Sequence, residues 1–176
     1  TPTSTSSLGI GRTAVAISSG SYHTCAILDD GSVSCWGEGS SGQLGNGETS
    51  DVTTPTSTSS LGIGRTAVAI SSGNAHTCAI LDDGSVSCWG NGGSGRLGKG
   101  GTSNENTPTS TSSLGIGRTA VAISSGYIHT CAILDDGSVS CWGYGGYGQL
   151  GNGGTSDVTT PTSTSSLGIG RTAVAI

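Results

Sequence analysis

Polar and apolar residues alternate with period two along most of the chain, which is the pattern of β-strands. In the first part of the chain the alternation predicts strands over 13–18, 23–28 and 32–36. Asp29-Asp30-Gly31 reads as a three-residue hairpin loop between the second and third strands. A looser strand over 55–59 follows a Gly-rich stretch, and its proline predicts that it begins at a sheet edge.

The whole pattern repeats every 53 residues. Four copies of the segment TPTSTSSLGIGRTAVAI set the units, which are 1–53, 54–106, 107–159 and the partial unit 160–176. Four short strands per unit are typical of a propeller blade. The sequence therefore predicts an all-β fold of tandem four-stranded antiparallel blades, arranged as an open superhelical array rather than a closed ring in this segment. The first and last residues lie inside the repeated segment, so we expect an excerpt of a longer array.

The three-residue loop fixes the pairing of the hairpin. It sets Ile27 opposite Val33 and Cys25 opposite Cys35, and these four side chains share one face of the blade. The opposite face carries Thr24, Ala26, Ser34 and Trp36. Both faces are apolar or small, so we expect each blade to be packed between two neighbours.

The six cysteines form three pairs at a separation of ten residues. The pairs are Cys25 with Cys35, Cys78 with Cys88, and Cys131 with Cys141. Directly opposite residues approach to about 4.5 Å between Cα atoms, which a disulfide accepts. The favoured prediction is one disulfide per blade, with buried free thiols and a metal site as alternatives. Disulfides in turn predict an oxidising compartment, so an extracellular or cell-surface location.

Composition and charge narrow the function classes. Hydrophobic residues are 32% of the chain and charged residues 10%, with 33 glycines and no Phe or Met. So few large side chains cannot fill one thick core. The net charge of −5 and the absence of a basic stripe argue against a nucleic-acid or anionic-membrane partner. No apolar run approaches the roughly 20 residues of a membrane span.

Several spaced elements of each unit resemble the RCC1-type repeat. In the first unit they are Ile17-Ser-Ser-Gly20-x-x-His23-Thr24-x-Ala26-Ile27, Asp30-Gly31, Trp36-Gly37 and Gly42-Gln43-Leu44-Gly45, and they recur over 70–98 and 123–151. The departures are Arg96 in place of Gln, and Cys25, Cys78 and Cys131 where the family usually has an aliphatic residue. The resemblance implies seven-bladed propellers that are mostly protein-interaction scaffolds, among them the Ran exchange factor and a secreted β-lactamase inhibitor.

Four sets of repeated residues are predicted to hold the blades together. They are His23, His76 and His129; Trp36, Trp89 and Trp142; Arg12, Arg65 and Arg118; and Asp30, Asp83 and Asp136. The resemblance implies a structural, hydrogen-bonded histidine, against the alternative that His-x-Cys binds a metal. The Asp-Asp pairs are favoured as turn residues over calcium ligands or acid/base carboxylates. Each Arg is predicted to pair with an Asp of its own or the adjacent blade.

Eleven of the 53 positions differ between units, and all fall in the loops after strands 1 and 3. In a meander both loops lie at one end of the sheet, which predicts a variable contact face. Its candidate residues are Tyr22, Glu38, Asn74, Asn91, Arg96, Tyr127, Ile128, Tyr144 and Tyr147. The alternative is drift in unconstrained loops.

The Ser/Thr/Pro runs predict O-glycan acceptors, or simply a polar edge strand. The acceptors would be Thr1, Thr3, Thr54, Thr56, Thr107 and Thr109.

No nucleophile–base constellation or phosphate loop occurs, so the sequence predicts no enzyme and no cofactor. The leading hypothesis is a structural, extracellular array of microbial origin, whose disulfide-clipped blades stack with one another or with other protomers into a fibre or stalk. The alternative is a closed seven-bladed propeller that binds a protein or glycan through the variable face. An RCC1-like exchange factor is a minor third possibility, disfavoured by the cysteine pairs and the acidic charge.

Overall fold

The structure, a computed structural model, describes residues 4–176, so the predicted acceptors Thr1 and Thr3 lie outside it. The described chain is all-β apart from a short 3-10 turn, Gly93–Gly95. It forms three four-stranded antiparallel sheets, each a meander with its strands side by side in chain order. This confirms the predicted architecture of tandem blades.

Each sheet contains strands of the same lengths at the same places in the repeat. The strands of sheet 1 are β1 (Ala14–Ser19), β2 (His23–Leu28), β3 (Val33–Gly37) and β4 (Val52–Ser57). Those of sheet 2 are β5 (Ala67–Ser72), β6 (His76–Leu81), β7 (Val86–Gly90) and β8 (Glu105–Ser110). Those of sheet 3 are β9 (Ala120–Ser125), β10 (His129–Leu134), β11 (Val139–Gly143) and β12 (Val158–Ser163).

The central hairpin has the predicted register. Ile27 pairs with Val33 and Cys25 with Cys35, and the equivalent pairs recur in the other two sheets. Gly31 has a φ of 77° in the connecting loop, a conformation that glycine adopts without strain.

All six cysteines are joined within their own hairpins, and none is free in the described chain. The Cα–Cα distance is 4.1 Å in each disulfide. The bonds link Cys25 to Cys35, Cys78 to Cys88, and Cys131 to Cys141. One disulfide per blade is the favoured prediction of the sequence, and the free thiols and the metal site that stood beside it as alternatives are wrong. In sheet 3 the Cys131 and Cys141 pair packs with Leu150 in a small cluster of its own.

The fourth strand differs from the prediction because it begins earlier. β4 starts at Val52, which pairs with Gly37, and Pro55 lies inside the strand rather than at its start. The next pair is Thr56 with Cys35, so three residues of β4 stand opposite one residue of β3. Such a bulge on an edge strand accommodates Pro55, which has no N–H to contribute to the ladder.

The sheets are offset from the sequence units. Sheet 1 runs from Ala14 to Ser57, so its fourth strand includes the Thr-Pro-Thr-Ser segment that opens the next unit. The opening segment of each later unit therefore completes the preceding sheet before the chain starts a new one. Along the array, β1, β5 and β9 contact one another in turn.

The hydrophobic core lies between consecutive sheets. One face of sheet 1 packs against the opposite face of sheet 2, and the arrangement recurs between sheets 2 and 3. We call these the trailing face (Cys25, Ile27, Val33, Cys35 and Leu44 in sheet 1) and the leading face (Ala67, Ala79, Leu81 and Trp89 in sheet 2). Small residues at these positions allow the sheets to lie close together, which explains a composition too poor in large side chains for one thick core.

The three sheets do not close into a ring within residues 4–176. Trp89 and Trp142 are fully buried because a preceding sheet covers each leading face. Trp36, at the same position in sheet 1, is only partly buried because none of the described residues forms a sheet before it. The burial of this tryptophan therefore depends on a neighbouring blade.

Candidate functional site

The loops that vary between units meet at one end of the sheets. In each sheet the residue after the third strand donates a backbone hydrogen bond to the loop after the first strand. These bonds are Glu38 N to Tyr22 O (2.9 Å), Asn91 N to Ala75 O (2.8 Å) and Tyr144 N to Ile128 O (2.9 Å). We call this end the variable-loop face, and it carries Tyr22, Glu38, Asn74, Asn91, Arg96, Tyr127, Ile128, Tyr144 and Tyr147.

The sector of this face on sheet 1 is acidic. The Glu38 carboxylate accepts hydrogen bonds from Ser40 Oγ at 3.0 Å and from Gln43 Nε2 at 3.2 Å. Gln43 is itself fully buried, and its Oε1 accepts a bond from Ser41 N at 2.8 Å. Tyr22 lies beside this group and is 73% exposed. The sector thus presents a positioned carboxylate and an accessible phenol.

The sector on sheet 2 replaces these residues with Asn91 and Arg96. Asn91 Oδ1 accepts a bond from Gly93 N at 2.9 Å, and Arg96 Nε donates to Gly93 O at 2.8 Å. Arg96 is a buried side chain. Burial lowers the pKa of its guanidinium, and the Tyr127 phenol of the next sheet acts in the opposite direction. The sector is therefore cationic where its neighbour is acidic.

The sector on sheet 3 is aromatic. The rings of Tyr144 and Tyr147 meet edge to face, with centroids 5.9 Å apart and planes at 77°. Tyr147 and Tyr127 are largely exposed, and Ile128 lies next to Tyr127. Tyrosine combines a large apolar body with a polar tip, so such clusters are suited to contacts with a partner.

A shallow polar depression of about 280 Å³ crosses all three sheets on this face. It is lined by Ser19, Gly20, Ser21, Ser72, Gly73, Asn74, Ser125, Gly126 and Tyr127. Its walls are held by bonds between sheets: Ser72 N donates to Ser18 Oγ at 2.9 Å, and Asn74 N donates to Tyr127 O at 3.4 Å. The sequence pattern does not predict this depression, although the Ser-Ser-Gly triplet before each variable pair marks its position.

Below this face, His23 and His76 each bridge two sheets. His23 Nε2 lies 2.8 Å from Thr77 Oγ1, and the same threonine hydroxyl donates to Gln43 O at 3.0 Å. The Thr77 hydroxyl donates its only proton to Gln43 O, so His23 Nε2 must carry the proton in its bond to Thr77 Oγ1. The other ring nitrogen of neutral His23, Nδ1, therefore carries no proton and can only accept a hydrogen bond. Nδ1 is buried without a partner among the described residues. Trp89 Nε1 adds a bond to Gln43 O at 3.0 Å.

The second junction repeats the histidine bridge. His76 Nε2 lies 3.0 Å from Thr130 Oγ1, which donates to Arg96 O at 3.1 Å. Burial lowers the pKa of His76 to about 3, with the Arg96 charge contributing, and burial lowers that of His23 to about 4. The pKa of His129 is also lowered by burial. The sequence pattern does not identify the threonine as the partner, although alternation places it on the face opposite the cysteine.

At the opposite end, Arg12, Arg65 and Arg118 each contact the Asp-Asp loop of the sheet that they precede. Arg12 Nη1 lies 3.4 Å from Asp29 Oδ1, and Nη2 lies 3.0 Å from Asp30 Oδ2. The equivalent pairs are Arg65 with Asp82 and Asp83, and Arg118 with Asp135 and Asp136. Hydrogen bonds from the side chain and backbone of Ser32 lower the pKa of Asp30. These ion pairs are exposed, and a role in stacking the blades stays a prediction.

A backbone hydrogen bond joins consecutive blades at this end. Ala67 N donates to Gly31 O at 2.8 Å, and Ala120 N donates to Gly84 O at 2.8 Å.

The predicted glycan acceptors lie at or next to the edge strands. Thr54 is exposed and Thr56 is half-buried, with its hydroxyl donating to Thr54 O at 3.1 Å. Thr107 and Thr109 are half-buried. Their glycosylation stays a prediction.

Within residues 4–176, no three His, Cys, Asp or Glu side chains converge as a metal site requires. In the same part of the chain, no helix is long and apolar enough to cross a membrane.

The comparisons with known proteins agree with the repeat structure. One model of the Regulator of chromosome condensation (RCC1) repeat matches residues 14–43, 67–96 and 120–149. A second model of that repeat matches 30–80, 83–133 and 136–174.

Among curated relatives, the human E3 ubiquitin-protein ligase HERC2 is 36% identical to the chain over 151 residues. The Ultraviolet-B receptor UVR8 of Arabidopsis thaliana is 38% identical over 151 residues. The matches cover 84% and 85% of this chain, but only 3% of HERC2 and 34% of UVR8. The chain therefore spans a minor part of these relatives.

Yeast RCC1 (Prp20), solved in complex with Kap60, superposes with a TM-score of 0.78 at 21% identity. That match covers 88% of this chain and 37% of the yeast protein. A separate structure of Prp20p from Saccharomyces cerevisiae gives the same TM-score over 39% of its chain. At this level of identity the likeness establishes the blade fold.

Proposed function

Because the chain belongs to the family of Regulator of chromosome condensation (RCC1) repeats, we propose that it is a non-catalytic interaction module that binds a protein partner through its variable-loop face. One observation carries the proposal: 42 of 53 positions are identical in the three full units, and all 11 differences fall in the loops of this face or at the start of the strand that follows them. A rigid scaffold with variable loops at one end is a common design of binding proteins.

The chemistry of the face supports a protein as the partner. Its three sectors are acidic, cationic and aromatic, around Glu38, Arg96 and Tyr144 respectively. Aromatic and arginine side chains are those that dominate protein–protein contacts. Kap60 binds the yeast relative in one solved structure, and binding to Gsp1p and histones is described for the same protein.

The proposed location is extracellular or on a microbial cell surface. One disulfide in each blade supports it, because such bonds persist in oxidising compartments. O-glycosylation of the exposed Thr54 and its equivalents is part of the same proposal. Intact mass of the native protein, read before and after removal of glycans, tests it.

Exchange of residues between units tests the binding face without inventing new side chains. In the variant Tyr127→Ser, Tyr144→Glu and Tyr147→Ser, sheet 3 receives the residues that sheet 1 carries at those positions. Immobilised chain is exposed to native extracellular material with cross-linking, and Ile63→Ser at the opposite end is the control. We expect the control to retain a protein that the exchanged variant loses. Equal capture by both variants would refute the binding face.

A structural role is the second proposed function. The blades would stack into a fibre or stalk, and the supporting observation is that the same trailing and leading faces pack at both junctions. A heterologous contact of this kind extends indefinitely when its rotation does not close a ring. Negative-stain images of the native protein test it: filaments are expected, and discrete round particles would refute the fibre.

A further inference from the structure

The cationic sector contains an arginine at a position where the other two full units have glutamine. Arg96 corresponds to Gln43 and Gln149, and it is 8% exposed. A buried guanidinium is costly unless an anion or several acceptors surround it. Arginine also remains charged in proteins, so it cannot escape this cost by releasing a proton.

The protein supplies only part of what this guanidinium requires. Arg96 Nε donates to Gly93 O at 2.8 Å. Among residues 4–176, neither Nη nitrogen makes a hydrogen bond, and no carboxylate oxygen lies within 4.0 Å of the guanidinium. By contrast, Lys99 on the same loop pairs with Glu105. The charge of Arg96 is thus held in place by one carbonyl and left without a counter-ion.

The two Nη groups are open to an incoming ligand. The buried polar atoms without partners in the described chain are His23 Nδ1, His76 Nδ1 and Trp142 Nε1, so the Nη atoms, which lack partners, reach solvent. Nη2 lies over Gly93, where an added Cβ would stand 3.3 Å from it. Because Nε already donates to Gly93 O, the remaining donors are those on Nη1 and Nη2. These two groups lie side by side and can each donate to one oxygen of a carboxylate.

The equivalent place in sheet 1 already holds a carboxylate. Glu38 occupies the position of Asn91, and its Oε2 accepts a bond from Gln43 Nε2 at 3.2 Å. Sheet 2 therefore differs from sheet 1 in two linked ways: the cation is added at Arg96 and the internal acid is removed at Asn91. Together the two changes open a site for an external anion.

We infer that Arg96 and Asn91 form a carboxylate-binding site on the variable-loop face, which takes an acidic side chain or C-terminus of the protein partner. This inference rests on the proposed function for the identity of the partner, but the site is testable with a small carboxylate alone.

Acetate is the probe. The ¹⁵N-labelled full chain is titrated with sodium acetate at constant ionic strength, with sodium chloride as the balancing salt. We expect saturable shifts of the Arg96 Nε–Hε and Asn91 side-chain resonances. Arg96→Gln, which restores the residue of the other two units, abolishes the saturable shift. Asn91→Glu also abolishes it, because the new carboxylate neutralises Arg96 as Glu38 contacts Gln43. Tyr147→Ser leaves it unchanged.

A shift that does not saturate, or a saturable shift that persists in Arg96→Gln or Asn91→Glu, overturns the site. Both variants carry residues that the chain already accommodates at these positions, and near-ultraviolet circular dichroism verifies their folding. An acetate site together with equal partner capture by the exchanged sheet-3 variant and its control would refute the proposed function alone. Selective capture without an acetate site would refute this inference alone.

Discussion

Acidification should weaken the blade junctions before it affects the carboxylates. His76 is fully buried, its Nε2 proton is committed to Thr130, and its Nδ1 has no partner among the described residues. A proton added at Nδ1 would therefore bring a buried charge and a donor without an acceptor. The pKa of His76 is accordingly lowered from 6.5 to about 3, and that of His23 to about 4.

The direction of the effect follows from these values. In the unfolded chain the histidines become protonated near pH 6.5. In the folded chain His76 becomes protonated only when the pH approaches its lowered pKa. Stability is therefore complete above pH 6.5 and is lost progressively as the pH falls towards 4 for His23 and 3 for His76. At about 1.4 kcal/mol per pKa unit, the full loss is about 5 kcal/mol from His76 and about 3 kcal/mol from His23.

Denaturant unfolding followed by tryptophan fluorescence measures this loss at a series of pH values between 6.5 and 4.5. His76 alone is expected to remove about 2–3 kcal/mol over this range. The matched variant His76→Gln keeps an amide donor for Thr130 but does not titrate. Hydrogen bonds from the neighbouring serines lower the pKa of the Asp30, Asp83 and Asp136 carboxyls, so these groups contribute little in this window. An unchanged pH slope in His76→Gln would refute the reasoning.

Four further variants test the disulfides, the exposed ion pairs, the inter-blade backbone contact and the packing. Replacing Cys78 and Cys88 together by Ala should lower the free energy of unfolding by roughly 2–4 kcal/mol, and a midpoint equal to that of the oxidised wild type would contradict this. Arg65→Ala should lower the melting temperature only slightly, whereas Gly84→Ala should cost about 2–4 kcal/mol because its Cβ would lie 2.5 Å from a threonine Cβ at a φ of +77°. If the two substitutions lowered stability equally, the close backbone contact at Gly84 would not stabilise the blade junction more than the exposed Arg65 ion pair does. Trp89→Ala should cost about 3–5 kcal/mol in denaturant unfolding, and a cost below 1 kcal/mol would argue against inter-sheet packing as the core.

Much of the blade could be predicted because its determinants are local. A three-residue loop fixes the pairing of its two strands, so Cys25 and Cys35 had to lie opposite each other, and Cys131 and Cys141 likewise. The same alternation assigned every hairpin side chain to one of two faces. It was less informative for the fourth strand, where a bulge around Pro55 breaks the simple register. A bulge depends on how the edge strand meets its neighbour, which period-two patterning does not encode.

The variable-loop face was predictable in place but not in chemistry. The differences between units marked the loops at one end of each sheet. Sequence comparison alone could not show that Arg96 is buried without a counter-ion. Only the path of the loop after the third strand brings its guanidinium against Gly93 and away from carboxylates.

The sequence by itself determined the repeat, because its copies are nearly identical. It also determined the central hairpin, its register and the pairing of the cysteines, because a single three-residue loop joins the two strands. The tertiary structure alone decided how blades meet. His23 finds Thr77 at a separation of 54 residues, and the threonine hydroxyl in turn reaches the carbonyl of Gln43. Alternation states which face a side chain occupies but not which neighbour covers that face or at what angle. Those contacts exist only once two thin sheets are stacked, and the core of this protein is made of them.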